Sequence, residues 1–145
     1  MDSIDLKILE LLKENGKATA SEISRKVNLS IPAVGERIRK LDEGGIIEGY
    51  TVKLNREKLG YELLAVVFVN VETQQIPAFR QAAVAFEEVI ACHHMAGEYD
   101  YLLKILVRNT RELEEFLSGR LKALSGIQKT NTLIVLSTLK EKENR

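Results

Sequence analysis

The stretch SIPAVGERIRKL, residues 30–41, decides the fold. Val34, Ile38 and Leu41 fall at i, i+4 and i+7, which lines one face of a helix running from Ile31 to Glu43. Ser30 is placed to cap its first turn, and Pro32 sits where a missing N–H does no harm. Gly44-Gly45 ends it. Off the apolar stripe lie Ser30, Pro32, Ala33, Gly35, Glu36, Arg37, Arg39 and Lys40, an outward set of small and basic residues.

Working outward, two more helices precede this one. Ile4, Ile8, Leu11 and Leu12 share a helical face, with Asp2 or Ser3 as the cap and Asn15-Gly16 as a left-handed stop. Thr19 and Glu22 have capping-box spacing, and Ile23 and Val27 point inward from the helix they open. The tight turn Asn28-Leu29-Ser30 joins this helix to the next. On the C-terminal side, Ile46 to Asn55 carries β-branched residues around Gly49 and is expected to form a small hairpin. Three helices followed by a hairpin describe a winged helix-turn-helix.

Such a unit reads double-stranded DNA by laying its second motif helix in the major groove. The chain balances 21 basic against 21 acidic residues, so its overall charge says nothing of nucleic acid. From Ser24 to Lys40, however, five basic residues (Arg25, Lys26, Arg37, Arg39, Lys40) face one acid, Glu36. Pro32, Ala33, Glu36 and Arg37 are the expected base readers, Arg37 for guanine and Glu36 for a cytosine amino group. Ser21, Arg25, Ser30, Arg39 and Lys40 are expected phosphate contacts, which position without specifying. A mid-helix glycine costs about 1 kcal/mol relative to alanine. Close approach of DNA accounts for Gly35, and so does simple tolerance.

Beyond Glu62 the periodicity changes. Leu64 to Val71 reads as a buried strand, and Phe79, Ala82, Ala83 and Phe86 as a helical face. Val89 to Met95 and Tyr101 to Val107 are strands joined by the turn Gly97-Glu98-Tyr99-Asp100. Asn109 or Thr110 caps a helix whose Leu113, Phe116, Leu117 and Leu121 pack inward, and Gly126 breaks it. Ile127 to Leu139 is expected as a closing strand. The order βαββαβ is the ferredoxin-like unit, which makes the fold α+β overall. Helices cover one face of such a sheet, and apolar strand residues such as Val66, Phe68 and Ile105 call for a partner on the other.

Several classes are disfavoured. No apolar run approaches the roughly 18 residues of a membrane span. The N-terminus MDSIDLKILELL lacks the basic region of a signal peptide, and the single cysteine, Cys92, has no internal partner, so a cytoplasmic protein is expected. No GxSxG, P-loop or HExxH is present, and no catalytic residue is assigned. Cys92-His93-His94 invites a metal, but strand alternation sends His93 to the opposite side from Cys92 and His94. No metal or cofactor is expected.

Together, ID-KIL--L, LS-PAV-ERI-KL, GIIEGYT, GEYDYLLK and TLIVL closely resemble the Lrp/AsnC family of feast/famine regulators, over roughly Asp2 to Lys140. The resemblance implies a DNA-binding domain over residues 1–55, a linker over 56–62 and, over 63–145, the ligand-binding domain called RAM. It implies a transcription regulator that forms homodimers, assembles further to octamers and answers to an amino-acid effector at subunit contacts. On this chain it places the effector at Gly97, Glu98, Tyr99 and Asp100, with Thr130, Asn131 and Thr132 as looser candidates. Asp100 would accept from the ammonium, and the backbone N–H groups of the glycine turn would hold the carboxylate. The chain departs from the family pattern at Ile31, where proline is common, and at Gly35, where serine or threonine is usual.

Overall fold

The computed structural model describes all residues, Met1–Arg145. The chain separates into two compact units, Met1–Leu54 joined by Lys142–Arg145, and Asn55–Glu141.

In the first unit, α1 spans Ser3–Glu14, α2 Ala20–Val27 and α3 Ile31–Glu43. Asp2 caps α1 by accepting from the N–H groups of Ile4 and Asp5, and Asp5 returns a bond to the Asp2 N–H. Thr19 and Glu22 close the same reciprocal box on α2. Asn28 takes the left-handed conformation (φ 60°) that turns the chain from α2 to α3, and Ser30 caps α3. Ile8, Ile23, Val27, Val34 and Leu41 are buried together, with Ile38 and Ile47 packed against them. The stop after α1 differs from expectation. Asn15 is extended (φ −145°), and Gly16 is not left-handed. The Asn15 carboxamide instead accepts from the Lys17 N–H, a local turn that needs no glycine conformation.

The hairpin expected over Ile46–Asn55 does not close within the chain. The segment holds no strand ladder. A two-residue hairpin turn needs positive φ, and Gly49 does not supply it; Gly45 (φ 70°) does, but spends it ending α3. Ile46 and Ile47 fold back so that their N–H groups reach the Leu41 carbonyl, and the chain then runs extended with Tyr50, Val52 and Leu54 exposed. Asn55 begins a tight turn, accepting from the Lys58 N–H through its side chain, and Gly60 (φ 87°) completes it.

The second unit is a four-stranded antiparallel sheet in the order β2-β3-β1-β4, with β1 Leu63–Val71, β2 Val89–His94, β3 Tyr101–Val107 and β4 Ile127–Val135. Helices α4, Ile76–Ala85, and α5, Thr110–Phe116, cover one face; a wide π turn, Leu117–Leu121, extends α5. Ala65, Val67, Val69 and Val71 of β1 and Tyr101, Leu103, Ile105 and Val107 of β3 meet Phe79, Ala83, Leu113, Phe116 and Leu121 in the core. Val66 and Phe68 point to the uncovered face, as expected, but Ile105 does not. Its register partner is Ala65, so alternation carries it into the core, fully buried. The closing strand is shorter than expected. Val135 pairs with Leu64, β1 begins one residue earlier, and past that point β4 has no neighbour to bond; Leu136 and Leu139 are exposed.

Candidate nucleic-acid interface and ligand site

With the stripe of α3 sealed into its unit, the opposite face is open. Pro32, Glu36, Arg39 and Lys40 are exposed, Ala33 and Gly35 half-buried, and Arg25 of α2 is exposed beside them in sequence order. The charges on this face are mutually engaged. Arg39 donates through Nε and Nη2 to both Glu36 oxygens, at 2.9 and 2.6 Å, and pairs with Glu43. The hydrogen bond from Arg39 holds the Glu36 carboxyl below its ordinary value, and the two acids raise the guanidinium. Lys40 stands 3.9 Å from Glu36. Such exposed pairs are worth little in water, so phosphates compete with them at small cost. The Ser30 hydroxyl is already the cap of α3, and the Ser21 carbonyl accepts from Ser24, leaving the Ser21 hydroxyl available.

Arg37 is half-buried and differs in placement from its exposed neighbours on α3. At about 100° per residue it lies some 60° from Val34, on the flank of the buried stripe. Its Nη1 donates to Asp2 Oδ2 at 2.8 Å and to Asp5 Oδ1 at 2.7 Å, across from α3 to the start of α1. The Asp5 N–H first, and then Arg37, hold the Asp2 carboxyl at about 2, below its ordinary 3.8. A carboxyl depressed by folding stabilises fully above its unfolded value, and that contribution fades as pH falls through the folded value. The helical unit is therefore expected to lose stability between about pH 4 and pH 2, and Arg37→Met to shrink the part lost in that window, as acid titration of the melting temperature reads directly.

Gly35 has no steric reason to be glycine. An added Cβ would meet nothing within 4 Å, and its φ is ordinary. Gly35→Ala is expected to stabilise α3 by about 0.5–1 kcal/mol while weakening duplex binding, if DNA occupies that space. Unchanged duplex affinity in the stabilised variant would remove Gly35 from the interface.

In the second unit the turn after β2 gathers the expected ligand residues. Gly97 (φ 152°) and Glu98 are exposed; Tyr99 and Asp100 are half-buried. Asp100 is less free than the sequence implied. Its carboxylate accepts from the Val71 N–H at 2.9 Å, and its own N–H donates to Asn70 Oδ1 and the Val69 carbonyl. These bonds tie the turn to the end of β1, where the β1–β4 register shifts between Asn70 and Val71. Tyr99 packs on Phe68 with ring centroids 5.4 Å apart, and the Lys129 ammonium lies 5.2 Å from its ring while pairing with Glu98 at 3.3 Å. Asn131, register partner of Phe68, shares that uncovered face; Thr130 and Thr132, partners of Val69 and Val67, point to the helix side. Asn70 and Lys129 were missed in the sequence because only strand register brings them to this turn.

The neighbouring cysteine and histidines divide between the two faces of the sheet. His94 stacks on Tyr101 with centroids 5.0 Å apart and meets Arg80 at 3.2 Å through Nδ1, while burial pushes the Cys92 thiol up, away from thiolate. His93 pairs with Leu102, on the opposite face.

The comparisons agree with this architecture. A family model described as winged helix-turn-helix DNA-binding matches residues 1–48, and one described as Lrp/AsnC ligand binding domain matches residues 64–144. The regulator FL11 of Pyrococcus abyssi is 36% identical over 141 residues, covering 97% of this chain and 93% of FL11. The leucine-responsive regulatory protein of Haemophilus influenzae is 36% identical over 144 residues, covering 97% of this chain and 87% of that protein. The solved complex of the Neisseria meningitidis transcriptional regulator NMB0573 with L-Met has a TM-score of 0.95 at 29% identity, covering 99% of this chain and 94% of that one. No helix is long and apolar enough to cross a membrane. The chain belongs to the Lrp/AsnC family: it is a transcriptional regulator that joins a winged helix-turn-helix to an Lrp/AsnC ligand-binding domain.

Proposed function

We propose that this regulator binds specific duplex sites through the outward face of α3, and that an amino acid or related small metabolite, bound at subunit contacts of its RAM domain, modulates that binding. The observation that carries the first half is the exposed row Pro32, Glu36, Arg39 and Lys40, opposite a stripe sealed by Val34 and Leu41. Pro32, Ala33 and Glu36 face the bases; Arg25, Arg39, Lys40, Ser21 and Ser30 take phosphates. Arg37 leaves the base-reading set.

For the second half, the Gly97, Glu98 and Tyr99 N–H groups have no acceptor within the chain, which supports their use as a carboxylate nest. Asp100, bonded to Val71, has one carboxylate oxygen left for an ammonium. The L-Met held by the neisserial regulator supports an amino-acid effector here as well. The uncovered sheet face, with Val66, Phe68 and an exposed Leu133, supports a homodimer, as does the unpaired extended segment bearing Tyr50, Val52 and Leu54. Higher assembly to an octamer, a cytoplasmic location and the absence of catalysis complete the reading.

An effector stabilises the state it binds by RT ln(1 + [L]/Kd), about 2.7 kcal/mol at one hundred times Kd. A thermal-shift screen of the twenty amino acids at millimolar levels is expected to single out one or a few. Those same ligands should shift duplex affinity, because only a differential affinity for two states moves an equilibrium. Twenty flat melting curves would remove the effector half of the proposal and leave the DNA half standing.

A further inference from the structure

The clamp between α1 and α3 has more built into it than a surface ion pair. Every oxygen of two carboxylates is used. Asp2 Oδ1 accepts from the Ile4 and Asp5 N–H groups, Asp5 Oδ2 accepts from the Asp2 N–H, and the two remaining oxygens converge on the single Nη1 of Arg37. The pair joins residues 32 and 35 positions apart. It is also sheltered: the Asp5 side chain is 16% exposed and that of Arg37 29%, so salt screens it less than the Arg39 pairs, where the arginine side chain is 51% exposed. Asp2 is the N-cap of α1 and Asp5 lies in its first turn, where the helix dipole favours negative charge and the capping box fixes their rotamers.

Apolar stripes settle which faces of α1 and α3 meet, but a stripe of Ile8 against Val34 tolerates sliding and rotation better than a directional guanidinium bond does. Met1–Leu54 contains nine basic and nine acidic residues, and Arg37 is the one arginine of α3 whose carboxylates lie outside α3.

We infer that Asp2 and Asp5 are positioning residues for DNA reading, acting through Arg37 to fix the angle at which α3 is presented to the groove. The inference rests on the reading that α3 faces the duplex, and goes beyond it by assigning a role in sequence discrimination to two residues at the start of α1, outside the reading helix. Tilting α3 costs contacts to base edges, which demand tight geometry, far more than contacts to phosphates, which tolerate slack.

The test uses the full chain carrying Asp5→Asn, Arg37→Met or both, with a selected site and a scrambled duplex titrated over a range of salt. Asn keeps an acceptor for the Asp2 N–H, so the cap survives while the charge is lost; melting curves confirm that each variant is folded. Each single variant is expected to lose roughly ten-fold on the selected site, about one base contact's worth of discrimination, and little on the scrambled duplex. The double variant should be no worse than either single, and the salt slope should stay at the wild-type value. Two results overturn the inference. In one, folded variants discriminate as well as wild type. In the other, Arg37→Met loses equally on both duplexes with a salt slope lowered by about 0.9, and Asp5→Asn does nothing, which makes Arg37 a phosphate contact. Should Asp5→Asn unfold the unit, Arg37→Met alone still separates the cases through its slope and its scrambled-duplex affinity. If wild type fails to discriminate at all, the reading of α3 falls instead, a distinguishable failure.

Discussion

An alanine at Gly126 is expected to destabilise the ligand-binding unit by about 2–5 kcal/mol, combining left-handed strain with overpacking. Gly126 sits at φ 86°, and a Cβ built there would stand 2.4 Å from Gln75 Cβ and 2.6 Å from Gln75 Cγ. Neither atom is the loose end of a side chain. The Gly126 carbonyl also accepts from the Glu72 N–H at 2.8 Å, which ties the exit of β1 to the entry of β4. Relief must therefore come from moving backbone, and the backbone concerned adjoins Val71, where Asp100 anchors the ligand turn. For a unit of this size each kcal/mol is worth roughly 4–8 °C in melting temperature, so the loss should be plain in a thermal melt and should carry any effector response down with it. A melting temperature equal to wild type would mean that Gln75 yields without cost.

Val34→Asp is expected to act on the other unit and to abolish duplex binding. Val34 is fully buried among Ile8, Ile23, Val27 and Leu41, with no basic group in that cluster to pair a carboxylate. An uncompensated buried charge costs about 3–5 kcal/mol, against a total stability that starts near 5 kcal/mol even for ordinary domains. Three short helices have little margin to absorb this. Circular dichroism should show lost helix, while the sheet unit keeps its own unfolding transition. Retained duplex binding by this variant would place the DNA contact somewhere other than α3.

What the sequence reveals depends on how local the physics is. Thr19 with Glu22, and Ser30 ahead of Pro32, are decided within one helical turn, and both caps form as read. The same holds for Asn109, which accepts from the Glu112 N–H at the start of α5. Failures appear where a partner distant in sequence decides. Ile46–Asn55 has the composition of a hairpin, but closure needed positive φ at Gly49, and α3 uses the left-handed glycine one turn earlier. Leu136 and Leu139 look like strand, yet β1 starts only at Leu63, beside the end of β4 at Val135, and offers them no partner. Ile105 is apolar enough to suit the open face, but alternation from the buried Tyr101 sends it inward.

The candidate site divides in the same way. The outward face of α3 was legible from periodicity, because one stripe fixes its opposite. Periodicity places Arg37 off the stripe, but its rotation of about 60° from Val34 makes it a flank residue rather than one on the far face. Its partners Asp2 and Asp5 stand more than 30 residues away, and only the packing of α1 on α3 reveals the bonds. The GEYD turn was legible from Gly97, but the bond from Val71 to Asp100 crosses 29 residues and left no local signal.

The measurement that bears most directly on the central claim is the affinity of the full chain for a selected genomic site and for a scrambled duplex, across a salt series, for wild type and for Arg39→Ala. The account predicts that the selected site binds at least about 10³-fold more tightly at physiological salt, and that Arg39→Ala lowers the salt slope by about 0.9, the release of one phosphate's counterion. Equal affinity for both duplexes, or no binding in low salt, would contradict it.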